Sequence, residues 1–394
     1  MPPPSLDSTG PITYLVSSLP PKTGGEIYAY KLYEFLGQRG RTQEYLPIDK
    51  IIDETRVQLL RYFRRLVYLG WLGDLLTSLG LAFRLQKLKG VLVVDQYHSF
   101  LLLATKVVHR WRRRGKIITL VHHIENYASD APPSWSNWLW KWRERLALSP
   151  SHMLVTVSEH TKREIISLGI PEDKITILPP GLDREKLEIH PAERGADLLC
   201  VAHIIPRKGI HHLVEAFASL NFEGARLHLA GDTKADPGYV AQIRARLNDL
   251  GVADRIIFHG RIGQTNLNRL YSEAGIFVFP SLQEGFGIAL LEAMHYGLPI
   301  VASHNSAIPH LVHEEVNGLL VPSGEAGPLA EAIRRLQEDS ELRKTLGRRG
   351  REMVENMFYW ETTCEGFASL VEQPAARTGS MKVNPPVKRK PQFS

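Results

Sequence analysis

The stretch PSLQEGFGIALLEAMHYGLPIVAS, residues 280–303, governs how the rest of this chain is read. It follows the apolar run IFVF (276–279), which reads as a buried strand. After a Pro-Ser turn come Glu284, the glycine-flanked aromatic Gly285–Phe286–Gly287, and a helix expected to begin near Ile288 and to carry Glu292. Glycines let the backbone approach a ligand and adopt φ/ψ values closed to other residues. The first amides of a helix lack intrahelical partners and form an anion site. One short segment thus offers Glu284 and Glu292 as acceptors for hydroxyl groups, and the amides of Gly285 to Ile288 for an anion.

The same strand-then-helix pattern recurs on both sides. ITYLVS (12–17), VLVV (91–94), IITLV (117–121), MLVTV (153–157) and ITIL (175–178) read as strands of a first half. LLCVA (198–202), RLHLA (226–230), IIFHG (256–260), IFVF, PIVA (299–302) and GLLV (318–321) read as strands of a second. Short, continuous, β-branched runs separated by helical patterns predict parallel α/β sheets covered on both faces. Two such runs, split around PPGLD (179–183), predict two Rossmann-like domains facing a cleft, with ligands at the carboxyl ends of the strands. The expected boundaries are a flexible N-terminus (1–10), a first domain (11–183), a second (184–355), a closing segment (356–372) and a basic disordered tail (373–394).

Most residues with chemical potential follow a strand. Gly24 and Gly25 precede a helix after the first strand, as a ligand-approaching loop or as a tight turn. His122 and His123 leave strand 117–121, where a histidine can bond a hydroxyl or take a proton. Ser158 reads as a helix N-cap. Arg207–Lys208–Gly209 opens a helix. Cations there are unfavourable towards the helix dipole unless an anion neutralises them, which points to a phosphate group. Asp232 reads as a turn cap.

Together these residues resemble the retaining glycosyltransferases of family 4, which have the GT-B fold and an E-x7-E signature matched by Glu284 and Glu292. The resemblance runs from about 12 to 371 and is denser in the second half. It implies a nucleotide-diphosphate sugar as donor, with Glu284 on the sugar hydroxyls and Glu292 on the ribose. It also implies the amides of Gly285, Phe286, Gly287 and Ile288 on sugar and diphosphate, Lys208 and Arg207 on the diphosphate, and His122 facing the sugar. His123 is the alternative if the match is offset by one. Gly24 and Gly25 match a family glycine loop, Gly260 lies near where the base docks, and FYWETTCEGFASLV (358–371) resembles a helix crossing back to the first domain. The chain departs from the pattern at Ala202–His203, where the family has a Gly-Arg pair. A neutral His203 would leave the diphosphate to Lys208 and Arg207. An epimerase, a phosphorylase or a non-catalytic binding partner on the same fold are the rival readings.

Composition narrows the classes. The chain has 394 residues and 43% hydrophobic content, enough for two cores. Cys200 and Cys364 are its only cysteines, which argues against a disulfide scaffold or zinc site and fits a cytoplasmic location. Without Asp-x-Asp no metal on the diphosphate is expected, nor any cofactor beyond the donor. The N-terminus lacks the basic start and apolar core of a signal peptide. Net charge is +6, but residues 55–116 carry +11 and the tail from 374 carries +5. Four of the seven tryptophans fall in WSNWLWKWRERLAL (135–148). Trp135, Trp138, Leu139, Trp142 and Leu146 share one helical face, beside Lys141, Arg143 and Arg145. Such a helix suits peripheral docking on an anionic membrane, on its inner face, or packing on the first sheet. The apolar run 66–83 is interrupted by Asp74 and three glycines, so a spanning helix is not expected. No base-stacking motif supports nucleic-acid binding. The acceptor expected from these features is lipid-linked or membrane-resident.

Overall fold

The computed structural model of the chain describes residues 10–16, 24–49, 51, 70–124, 135–183, 186–189, 195–220 and 224–373. The expected flexible N-terminus before Gly10, the first four residues of the apolar run 66–83 and the basic tail after Gln373 lie outside them. The structure forms two compact units. One comprises the described residues up to Pro179 together with those from Trp360; the other is Pro180–Tyr359.

The first unit is built on six parallel strands: β1 (Ile12–Val16), β2 (Gln43–Pro47), β3 (Val91–Asp95), β4 (Ile117–Val121), β5 (Met153–Thr156) and β6 (Ile175–Ile177). Their order is β2-β1-β3-β4-β5-β6. The strands between the edges, β1, β3, β4 and β5, are buried along their whole length, which is why they read as unbroken apolar runs. The edge strand β2, QEYLP, is half-exposed and carries no such run, so the sequence pattern passed it over. Among the described residues the helices between the strands include α1 (Gly24–Gln38), α2 (Gly70–Arg84), α3 (Leu103–Trp111), α4 (Trp135–Leu148) and α5 (Glu159–Ser167). Ser158 caps α5 as expected, its Oγ accepting from the Thr161 amide at 3.2 Å.

The second unit repeats the plan with β7 (Leu198–Val201), β8 (Leu227–Ala230), β9 (Ile256–Gly260), β10 (Ile276–Phe279), β11 (Ile300–Ser303) and β12 (Leu319–Val321). Their order is β12-β11-β10-β7-β8-β9, again all parallel. Its helices are α6 (Ile210–Ala218), α7 (Pro237–Asp249), α8 (Gln264–Glu273), α9 (Ile288–His295), α10 (Ala326–Glu338) and α11 (Ser340–Met357). One apolar cluster, including Leu198, Leu213, Phe217, Leu229, Val301 and Ile333, forms the core between sheet and helices. The last helix, α12 (Trp360–Glu372), belongs to the first unit and packs on α1, with Trp360 against Tyr28 at 5.5 Å.

In each sheet the chain reverses direction once, between β1 and β3 in the first and between β7 and β10 in the second. The loops leaving the strands on either side of that point diverge and open a crevice at the carboxyl edge. Gly24 and Gly25, Lys208 and Glu284 follow strands at those points, while His122 leaves the next strand, β4, and Gly260 ends the edge strand β9.

Candidate active site

At the switch point of the second unit, two loops meet. After β7 the chain makes a 3-10 turn, Pro206–Lys208, and enters α6 through Gly209. Gly209 has φ +64°, and a Cβ there would overlap the carbonyl oxygen of Pro280. Only glycine lets the two loops approach this closely. The amide of Leu282 donates to the Arg207 carbonyl at 2.8 Å, and the Arg207 guanidinium donates to the Gln283 carbonyl at 3.3 Å. This stitching brings the Lys208 ammonium onto the Glu284 carboxylate in a direct, largely buried ion pair. Burial by itself would push the Glu284 carboxyl up. The Lys208 charge and hydrogen bond, the Arg207 charge and the Phe286 amide outweigh it, so the group sits below the usual carboxylate range.

Beyond Glu284 the loop turns into α9. Gly287, at φ +101°, is its cap. Phe286 is buried against Phe358, with ring centroids 6.0 Å apart, so its side chain anchors the loop. Glu292, one turn into α9, accepts from the Tyr271 hydroxyl of α8 at 2.8 Å. Burial pushes its carboxyl up to about 7. Two carboxylates of one motif therefore titrate in opposite directions, because one has a cation beside it and the other a neutral phenol.

His203 follows β7 and is exposed. Local desolvation, then the charges of Lys208, Arg207 and Arg261, hold its imidazole below the usual value despite Asp232 nearby. The positive field expected of Lys208 and Arg207 therefore includes Arg261, whose position just after β9 gave no sequence signal. Gly260, at the end of β9, has φ +64° and open space where a side chain would stand. Asp232 caps a turn, accepting from the Lys234 amide at 2.7 Å.

In the first unit, Gly24 and Gly25 are the first residues of α1. A Cβ on Gly25 would lie 2.7 Å from His122 Cδ2, so this glycine makes room for the histidine. The other side of the ring meets Tyr28 edge-on at 5.4 Å. His122 Nε2 stands 3.9 Å from Asp95 Oδ2 at the end of β3, and neither atom has a hydrogen-bond partner among the described residues. Burial, then the neighbouring His123, lowers the His122 imidazole to about 4, so it is neutral. Burial also raises the Asp95 carboxyl. Gln96 holds the turn, its Oε1 accepting from the His122 amide at 3.1 Å and its Nε2 donating to the His123 carbonyl. His123 turns towards Tyr97, at 6.1 Å. Asp95 and Gln96 were not among the site residues read from the sequence. Their signal was available, since both lie at the carboxyl end of a predicted strand.

The two halves of the chain match two family descriptions. "Glycosyltransferase Family 4" covers residues 23–186 and "Glycosyl transferases group 1" covers residues 183–353. A GDP-mannose-dependent α-(1-6)-phosphatidylinositol monomannoside mannosyltransferase of Mycobacterium tuberculosis is 28% identical over 235 residues, 55% of this chain and 60% of that one. The amylovoran biosynthesis glycosyltransferase AmsK of Erwinia amylovora is 29% identical over 66% of this chain and 63% of its own length. The matches thus span less than two thirds of these curated relatives. Among solved structures, sucrose-phosphate synthase of Thermosynechococcus elongatus superposes with a TM-score of 0.72 at 20% identity, covering 91% of this chain and 98% of that one. HepE of Anabaena, solved with UDP-glucose, superposes with a TM-score of 0.71 at 17% identity, covering 92% and 99%. With both halves matched in order and two parallel six-stranded sheets beneath them, the protein belongs to the glycosyltransferases of family 4 and has the GT-B fold.

Proposed function

We propose that the protein is a retaining glycosyltransferase that moves a hexosyl group from a nucleotide-diphosphate sugar to an acceptor hydroxyl in glycan biosynthesis, without a metal ion. The observation that carries this reading is the Lys208–Glu284 pair at the switch point of the second sheet, next to the amides of Gly285 to Ile288. A donor entering there meets both signs of charge at once. Lys208, Arg207 and Arg261 take the diphosphate, releasing the Glu284 carboxylate to the sugar hydroxyls. As the bond from the anomeric carbon to the diphosphate oxygen breaks, its electron pair stays on the diphosphate, the acceptor oxygen bonds the anomeric carbon, and the acceptor hydroxyl proton passes to the leaving diphosphate. The cations and loop amides, fixed in place beforehand, stabilise that charge. Glu292, oriented by Tyr271, accepts from the ribose hydroxyls. His122, neutral and with a ring nitrogen that has no hydrogen-bond partner among the described residues, is assigned to a hydroxyl of the donor sugar. The printed names of the relatives support the donor class, since one uses GDP-mannose and one neighbour holds UDP-glucose. The mannosyltransferase is named for a phosphatidylinositol monomannoside, which supports a lipid-linked acceptor; with such an acceptor we place the site of action peripherally at the cytoplasmic face of a membrane.

Glu284→Ala tests the assignment. Turnover of the preferred nucleotide sugar should fall by at least ~100-fold, on the scale of losing one transition-state contact, with far less change in nucleotide affinity. Wild-type turnover should persist in EDTA. Equal losses in nucleotide binding and turnover would move Glu284 off the sugar, and activity abolished by chelation and restored by magnesium would overturn the metal-free mechanism.

A further inference from the structure

In the first unit, α2, α3 and α4 lie in one layer. Leu81 of α2 and Leu85 just after it, with Leu102 at the start of α3, share a cluster with Leu92, Val94 and Ile117. Leu148 of α4 packs with Val121 and Leu154. The strand register, with Val94 beside Thr119 and Thr119 beside Leu154, puts these strand residues on the same sheet face. The topology requires this too, because the crossovers from β2 to β5 all advance one way along the sheet and right-handed connections then share a face. Neighbouring helices are tied together. The Ala104 amide donates to Ser78 Oγ at 2.9 Å, and the Lys106 ammonium donates to Ser99 Oγ at 2.6 Å and to the Ala147 carbonyl.

On its outer side each of the three helices presents an apolar pair four residues apart to solvent. The pairs are Leu79 and Phe83 (55% and 75% exposed), Val107 and Trp111 (49% and 78%), and Trp138 and Trp142 (65% and 45%). Residues at that spacing lie together on a helix surface. Isolated exposed apolar residues are ordinary, but three pairs on one layer form a patch of the kind that marks an interaction surface. Arg84, Arg110, Arg112, Lys141 and Arg145 are exposed on or beside the same helices. The acids among the described residues from 77 to 148 are Asp95, which is fully buried, and Glu144, which is half-buried. No described helix is long and apolar enough to cross a membrane.

We infer that the outer surface of α2, α3 and α4 docks on an anionic lipid bilayer, with Phe83, Trp111, Trp138 and Trp142 at headgroup depth. Indoles beside arginines and lysines suit that interface, where one end of the side chain is apolar and the surroundings are negatively charged. The surface holds the protein at the membrane where a lipid-linked acceptor resides, and this link to the acceptor rests on the proposed function. The docking itself does not.

The test is sedimentation of the full chain with vesicles, in the absence of any sugar donor. Vesicles of phosphatidylcholine with phosphatidylglycerol should carry the protein down at low salt, with binding falling as salt rises and little binding to phosphatidylcholine alone. The triple variant Phe83→Ser, Trp111→Ser, Trp138→Ser should lose at least ~10-fold in partitioning while retaining its thermal midpoint, because exposed side chains contribute little to the core. Arg110→Glu with Arg112→Glu should weaken binding mainly at low salt. A protein that stays in the supernatant, or a folded triple variant that binds as well as the parent, overturns the inference. So does a dimer in sedimentation velocity that the triple variant abolishes, since the patch would then belong to a second copy. Failure here leaves glycosyl transfer untouched, and a protein that docks without transferring sugar refutes only the proposed function.

Discussion

At the switch point of the second sheet, Lys208 and Glu284 meet as ions in a direct hydrogen-bonded pair. Beside that of the first sheet, at the ends of β3 and β4, His122 and Asp95 lie 3.9 Å apart with the facing atoms unbonded among the described residues. Both pairs are largely enclosed, so both feel the cost of desolvation. In the second unit the charge of Lys208, helped by Arg207, exceeds that cost and the carboxylate stays ionised. In the first no permanent cation is paired with Asp95, so burial prevails, raising Asp95 and leaving His122 neutral. The two sites are thereby suited to different chemical groups. Fixed charges match a phosphate, and neutral donors and acceptors match hydroxyl groups.

The largest effect should come from breaking the ionic pair. Lys208→Ala leaves Glu284 enclosed without a counterion, which costs about 3–5 kcal/mol of stability in comparable buried pairs. Turnover should drop by ~100-fold or more as the leaving diphosphate loses its cation. Denaturant unfolding and steady-state kinetics check both. A variant that keeps wild-type stability and rate would show that the pair is incidental.

A smaller effect is expected at Glu292, the second carboxylate of the same motif. Glu292→Gln should weaken nucleotide binding by about 1.5–3 kcal/mol, the worth of a hydrogen bond to a charged group. Because burial raises this carboxyl to about 7, nucleotide affinity should rise as pH climbs through that value, and the Gln variant should be flat. The folded-state pKa lies above the unfolded one. Stability of the apoprotein should therefore fall as pH rises from the ordinary carboxylate range to about 7, a slope that the Gln variant loses. Calorimetry on either side of neutrality decides. A pH-independent affinity in the parent would remove Glu292 from the ribose.

The smallest change concerns the neutral pair. Gly25→Ala pushes a methyl group to 2.7 Å from the His122 ring. Crowding of this kind costs about 1–3 kcal/mol, and replacing a helical glycine returns about 1. Net stability should shift by no more than ~2 kcal/mol, while turnover falls several-fold if the ring position governs the donor sugar. Unchanged turnover with a displaced ring would leave His122 a packing residue and end the parallel between the two sites.

The buried strands were legible because strands covered on both faces are apolar throughout. The edge strand β2 was not, since none of its residues is fully buried and it carries no apolar run. The Glu284–Glu292 segment was legible because its glycines, acids and helix start are contiguous. Tyr271 was missed because it acts on a motif residue from another helix and nothing in its own neighbourhood records that, whereas Asp95, Gln96 and Arg261 follow predicted strands and only their partners come from elsewhere in the chain. The tryptophan helix was visible as a stripe, but the matching pairs on α2 and α3 are two residues each, too few to register as a pattern. Arg143, read as one of the cations beside that stripe, instead lies over the rings of Phe100 and Trp140 at 4.5 and 4.9 Å.

The sequence by itself determined the parallel α/β class, the division into two halves and the motif loops, because hydrophobic period, glycine placement and helix starts are local properties of the chain. Tertiary structure decided which charges meet. The strand order placed β7 beside β10, nearly eighty residues away in sequence, and so joined Lys208 to Glu284. It placed β3 beside β4 and brought Asp95 to His122. Ionisation follows from those meetings. A carboxylate or imidazole responds to what surrounds it within a few ångströms, and in a folded chain those neighbours come from distant sequence.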